Sequence, residues 1–203
     1  RPLRSEEEEA FLKNLEKVIE NQKPAVAIFE DYNKGLLTEK VIEAAIALCK
    51  KHGIATAVDP KKVNFFSYKH VDLFKPNLKE LREGLKVEFD KKDHDSLKNA
   101  VEMLEEELGN SISLITLSEE GIYVKGPEEE HHLPAHLRDI SDVSGAGDTV
   151  ISVASLCLAL KTDILTMAAL SNLAGGLVCE KVGVVPIDRD QLFAEAKAFF
   201  AKL

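Results

Sequence analysis

Apolar positions along this chain fall into two rhythms that take turns. Over residues 5–21 Phe11, Leu15, Val18 and Ile19 share one side at helical spacing, and the acidic run Glu6 to Glu9 sits at the positive N-terminal end of that helix. The short apolar run AVAIFED (25–31) then predicts a buried strand. TEKVIEAAIALCKKHG (38–53) predicts a helix with Thr38 as its N-cap and Gly53 as its stop. IATAVDP and VDLFKPN predict two further strands, each ending in polar residues at a turn marked by proline, and LKELREGL starts the next helix. DSLKNAVEMLEEELG reads as a helix and SISLITLS as a strand. GIYVKG with EEEHHLPA reads as an edge hairpin, and helices follow over 147–161, 163–181 and 188–202.

Strands alternating with helices imply an α/β fold with a largely parallel central sheet and helices on both faces. Ligands of such sheets sit at the carboxyl ends of the strands. The polar clusters EDYNKG, DPKK, KPNLKE and TLSEEG all fall there. With no internal repeat and no linker, residues 1–203 are expected to form one structural unit.

Composition narrows the chemistry. An apolar fraction of 45% supports a packed core, and a formal charge of −9 without a basic cluster argues against a nucleic-acid partner. Any anionic ligand must be held locally. No apolar run approaches the roughly 20 residues of a membrane span. Cys49, Cys157 and Cys179 are scattered, so buried free thiols in a reducing, cytoplasmic setting are expected. A metal site at His131, His132 and His136 is disfavoured, because adjacent strand residues face opposite sides and a surface hairpin accounts for them. No GxxxxGK[ST] or GxSxG pattern is present.

The stretch DVSGAGDTV (142–150) carries the chemistry and has three readings. It is a glycine-rich helix cap, a dinucleotide-binding turn, or a site of phosphoryl transfer to an alcohol. The second is weakened by Val150 at the place of the third glycine, and by Asp148, which would repel a pyrophosphate. In the third, the amides of Gly145, Ala146 and Gly147 stabilise the charge on a moving phosphoryl group while Asp148 accepts the proton of the attacking hydroxyl.

DVSGAGDT resembles the signature of the ribokinase-like (PfkB) carbohydrate kinases. The resemblance implies Asp148 as catalytic base, Gly145, Ala146 and Gly147 as anion hole, and Asp142 with Ser144 beside a monovalent-cation (K+) site. KPNLKE is similar to the family's Asn-x-x-Glu element, which implies that Asn77 and Glu80 arrange Mg2+ and the ATP phosphates, Glu80 indirectly. The same two residues also fit a capping box. TLSEEGIYV resembles a turn near the nucleotide, with Thr116 and Gly121 retained and Ser118 where glycine is usual. LSNLAGGLVCEKVGV resembles the segment beside the adenine, which implies Asn172, Ala174 and Gly175 near the base and Gly183 at a turn; alone it would pass for a packed small-residue helix.

FEDYNKGLLT and VDPKK resemble the branch that phosphorylates D-glycero-D-manno-heptose 7-phosphate in ADP-heptose synthesis. That resemblance implies Asp31, Lys34, Asp59 and Lys61 facing the sugar site, with Lys34 and Lys61 holding phosphates. It further implies a preceding segment with much of the sugar pocket and a small β lid, both missing here, and a homodimer in the longer enzyme. Other kinases of the superfamily, acting on ribose, adenosine, a hexose phosphate or a hydroxymethylpyrimidine, stay open, as does a nucleotide-binding domain without turnover.

Overall fold

A computed structural model describes residues 1–89, 94–136 and 138–201. Helix α1 (Ser5–Gln22) leads into β1 (Val26–Glu30), α2 (Glu39–Lys51), β2 (Ala55–Asp59) and β3 (Leu73–Phe74). Helices α3 (Leu78–Leu85) and α4 (His94–Leu108) precede β4 (Ile112–Thr116), β5 (Ile122–Lys125) and β6 (Glu130–Leu133). Three helices follow: α5 (Ala146–Leu160), α6 (Ile164–Cys179) and α7 (Arg189–Phe200). The six strands lie side by side in chain order. β1 to β4 are parallel, and β5 and β6 are antiparallel at one edge, as the hairpin pattern predicts.

Strand side chains alternate between two faces. Phe29, Val58, Phe74, Ile115 and Tyr123 join a core with Ile42 of α2, Leu81 of α3 and Leu104 of α4. Ala57, Leu73, Leu114, Ile122 and Val124 join a second core with Val150 and Ala154 of α5 and Met167 and Ala168 of α6. The sheet is therefore covered on both faces, and each strand end hands its last residues to one face or the other.

Local chemistry sets the element ends. Thr38 Oγ1 accepts from the Val41 amide and caps α2, and Gly53 follows that helix at φ +67°. β3 is shorter than the run VDLFKPN suggests, and on the β2 side Asp72 is held through side chains: its carboxylate accepts from Thr56 N at 2.7 Å, and its amide donates to Thr56 Oγ1 at 3.0 Å. On α1, Leu15 and Ile19 pack inward while Val18 is exposed, so the buried stripe is narrower than the sequence implies. The predicted end of the last helix at 202 lies outside the described residues.

All three cysteines are buried free thiols. His131 meets Glu129, His132 contacts the Glu120 carbonyl and His136 packs on Phe199, in keeping with a surface hairpin and not a shared metal. Among the described residues no helix is long and apolar enough to cross a membrane.

Candidate active site

The parallel register decides which strand ends meet. Glu30 at the end of β1 pairs with Asp59 at the end of β2. Ala57 faces the α5 side and Val58 the opposite side, so by alternation Asp59 turns to α5, and Lys75, one residue past Phe74, does the same. A row Glu30–Asp59–Lys75 thus runs across three strand ends beneath the first turn of α5. A methyl group built on Gly147 would lie 3.7 Å from both the Asp59 carboxylate and the Lys75 ammonium.

α5 opens on Gly145 at φ +79°, with no side-chain cap. The Ala146 amide donates back to the Val143 carbonyl at 3.3 Å, within its own turn. The amides of Gly145, Gly147 and Asp148 have no acceptor among the described residues. Helix amides of this kind are a ready anion site, and the helix dipole favours negative charge there.

Lys75 is only 2% exposed and forms an ion pair with Asp59 Oδ2 at 3.2 Å. Lys61 reaches Asp59 Oδ1 at 3.7 Å and Glu80 Oε1 at 2.6 Å. Burial pushes the Asp59 carboxyl above its ordinary value, against the pull of the Lys75 and Lys61 ammonium groups. Burial works against charge on Lys61 as well, but the Glu80 hydrogen bond and the neighbouring carboxylates outweigh it and hold the ammonium above its usual value. Glu30, Asp59 and Asp148 offer oxygens that all lie within 4.8 Å of one another. Glu30 is pushed up to about 7, first by burial and then by the charges of Asp59 and Asp148.

That crowding has a measurable sign. The Glu30 carboxyl titrates near 7 in the folded chain against an ordinary 4.5, so the folded state holds this proton more tightly between those values. The associated stability is fully present below about 4.5 and lost as pH rises through about 7. Glu30→Gln is expected to stabilise the chain by about 1–2 kcal/mol at pH 8, and by almost nothing at pH 4. Melting curves at the two pH values check this; an equal gain at both would rule out the electrostatic cause.

The other residues singled out in the sequence divide. Asn77 caps α3 and Glu80 completes the capping box: Asn77 Oδ1 accepts from Glu80 N at 2.8 Å and Glu80 Oε2 from Asn77 N at 2.9 Å. Asn77 also bridges Thr116 at the end of β4, which brings the two implied nucleotide elements together. Ser118 takes φ +53° and keeps the left-handed turn without a glycine, while Gly121 at φ +89° is required, since a Cβ there would lie 2.1 Å from the Leu133 carbonyl oxygen. The Asp142 carboxyl is held below its ordinary value by hydrogen bonds from Ser144 and then from the Gly183 amide, so it ties two loops together in front of α5.

Five residues are placed otherwise than expected. Asp31 follows Phe29 by two residues and shares its face, so it turns away from α5 and is buried; it accepts from Asn33 N at 2.8 Å, Asn64 Nδ2 at 3.0 Å and Tyr68 Oη at 2.8 Å. Those bonds leave it a scaffold for the loop and not an open ligand. Ala174 is fully buried, and a Cβ on Gly175 would strike Val150 Cγ2 at 2.8 Å, so both belong to the packing of α6 on α5. Asn172 donates to the Pro134 carbonyl, and Lys34 is exposed beside an apolar groove of about 400 Å³ along β1. Three residues the motifs did not single out stand in the site: Glu30, Lys75 and Tyr32, whose Oη lies 2.9 Å from each Asp148 oxygen. Alternation along the strands would have flagged the first two.

The sheet and its covering helices superpose on kinases of the ribokinase fold. Phosphofructokinase-2 from Escherichia coli in complex with potassium superposes with a TM-score of 0.84, covering 98% of this chain and 64% of that one at 18% identity. Ribokinase from Arabidopsis thaliana complexed with ribose and ATP gives 0.76, covering 93% and 59% at 16% identity. The chain belongs to the pfkB family of carbohydrate kinases, which matches residues 3–190. Among curated relatives, the bifunctional protein HldE of Desulfatibacillum aliphaticivorans is 41% identical over 191 residues, 91% of this chain and 39% of that protein. HldE of Sulfurimonas denitrificans is 35% identical over 184 residues, 91% and 38%. The chain spans about two fifths of the length of these relatives.

Proposed function

We propose that this chain carries the phosphoryl-transfer half of a sugar kinase that moves the γ-phosphoryl group of ATP to the anomeric hydroxyl of heptose 7-phosphate, in the formation of ADP-heptose. The observation that carries the reading is the pairing of opposites at the start of α5: amides without acceptors beside a carboxylate at Asp148, over a buried ammonium at Lys75. Asp148 takes the proton of the acceptor hydroxyl. The amides of Gly145, Gly147 and Asp148, with Lys75 beneath, stabilise charge on the transferred group, because donors already aligned need no reorganisation as that charge develops.

The donor set fits a divalent cation. Asp59 Oδ1 is buried without a hydrogen-bond partner, and Glu30 and Asp148 stand within reach of it. Magnesium bound there would neutralise phosphate charge, while Glu80, with one oxygen on Lys61 and the other on its own helix cap, acts on that site only through Lys61. Potassium beside the Asp142 loop, a homodimer of the longer protein and a cytoplasmic location belong to the same proposal. The heptose assignment is supported by relatives called HldE at 35–41% identity and by the DYNKG and DPKK stretches.

The test is ADP release from ATP and magnesium with heptose 7-phosphate, ribose and fructose 6-phosphate in parallel, for this chain and for a longer protein that contains it. Release with the heptose alone is the expected result. Release with another sugar would move the reading to a different pfkB kinase, and ATP binding without release with any sugar would leave a nucleotide-binding domain.

A further inference from the structure

The chain has three tyrosines and no tryptophan. Tyr68 and Tyr123 are fully buried, whereas Tyr32 is 53% exposed and extends from the end of β1 to α5. Its base is fixed: the neighbouring Asp31 is locked by Asn33, Asn64 and Tyr68, and Asn33 at φ +52° and Gly35 at φ +93° turn the chain just after it. From that anchored loop the phenol donates to both oxygens of Asp148 at 2.9 Å.

A general base must receive the acceptor's O–H at hydrogen-bond distance before it can take the proton. The phenol already makes that contact, as an alcohol-like donor, and spans both oxygens. A sugar hydroxyl arriving at Asp148 must share the carboxylate with the phenol or push it aside, and the ring, more than half exposed, is not held by burial.

We propose that Tyr32 is a positioning residue for Asp148 that stands in the place of the acceptor hydroxyl until the sugar displaces it. The inference rests on Asp148 being the base. The Asp148 hydrogen bond, with smaller contributions from burial and neighbouring carboxylates, pushes the Tyr32 phenol up to about 12, so it remains a donor throughout the working range of pH. The arrangement fixes the carboxylate in the empty site and makes the sugar compete for it.

Two measurements test this. Without tryptophan the intrinsic emission is that of tyrosine, and a phenol bonded to a carboxylate is quenched. Asp148→Ala is therefore expected to brighten the protein in the absence of any substrate, but not in a Tyr32→Phe background; unchanged emission in Asp148→Ala overturns the contact itself. In steady state with heptose 7-phosphate, Tyr32→Phe is expected to lower KM about fivefold, because the competing bond is gone, and to leave kcat unchanged, because the phenol has already left the carboxylate in the sugar complex. An unchanged or raised KM overturns the displacement. Failure of the base assignment would appear separately, as turnover retained in Asp148→Asn, and the emission measurement does not depend on it.

Discussion

Asp148→Asn is expected to lower sugar-dependent ADP release by at least about 100-fold while the unfolding transition stays close to that of the parent, as loss of a general base at a surface position should. Asparagine keeps the shape of the side chain and still accepts the Tyr32 phenol, so the local geometry survives. It gives up the favourable interaction of a negative charge with the N-terminus of α5, worth about 0.3–1 kcal/mol, but relieves repulsion among Glu30, Asp59 and Asp148. These two changes oppose each other and leave stability nearly unmoved. The rate has no such compensation, because an amide cannot take the proton. Steady-state rates alongside thermal melts separate the effects: a near-normal rate in a folded Asp148→Asn protein would end the proposed mechanism.

The fold was legible because each element carries its own local signal. Apolar runs of strand length, Thr38 and Asn77 as caps, and a hairpin of short strands lead directly to the observed sheet. The start of α5 was legible because Gly145, Gly147 and Asp148 lie within four residues of one another. What escaped depends on contacts between distant parts of the chain. Tyr32 meets Asp148 across 116 positions, and although it lies in the DYNKG stretch nothing local to it points to α5. Lys75 reads as solvent-exposed by residue type, yet it is buried because β3 places it between Asp59 and the first turn of α5. Asp31 illustrates the converse: a carboxylate at a strand end looks site-directed, but the strand's two-residue period sends it to the face of Phe29. Ala174 and Gly175 show the same limit, since small residues that could admit a base also let two helices touch, and here they do the latter.

Lys75→Met should cost the chain about 3 kcal/mol near pH 8, because breaking a buried ion pair leaves the partner's charge uncompensated. Methionine retains the length and the apolar stem, so packing changes little. What remains is Asp59, almost fully buried, with only the half-exposed Lys61 at 3.7 Å. Burial already raises the Asp59 carboxyl, and without Lys75 it rises further, so the folded variant takes up that proton at a higher pH than the parent does. The loss of stability is therefore expected to shrink as pH falls and Asp59 becomes neutral. Asp59→Asn added to Lys75→Met should recover most of the stability at pH 8, a coupling that a double-mutant cycle measures directly. Turnover should not recover with it, because the ammonium beneath the amides of α5 is still missing and the Asp59 donor of the proposed cation is lost as well; in Lys75→Met alone a loss of about 10- to 100-fold in kcat is expected. If the double variant regained its rate together with its stability, Lys75 would be a structural partner of Asp59 and no part of the anion site. If Lys75→Met alone loses its rate under conditions where it is fully folded, the buried ammonium is there for the phosphoryl group, and the Asp59 carboxylate is what permits a positive charge to be buried at the already positive end of a helix.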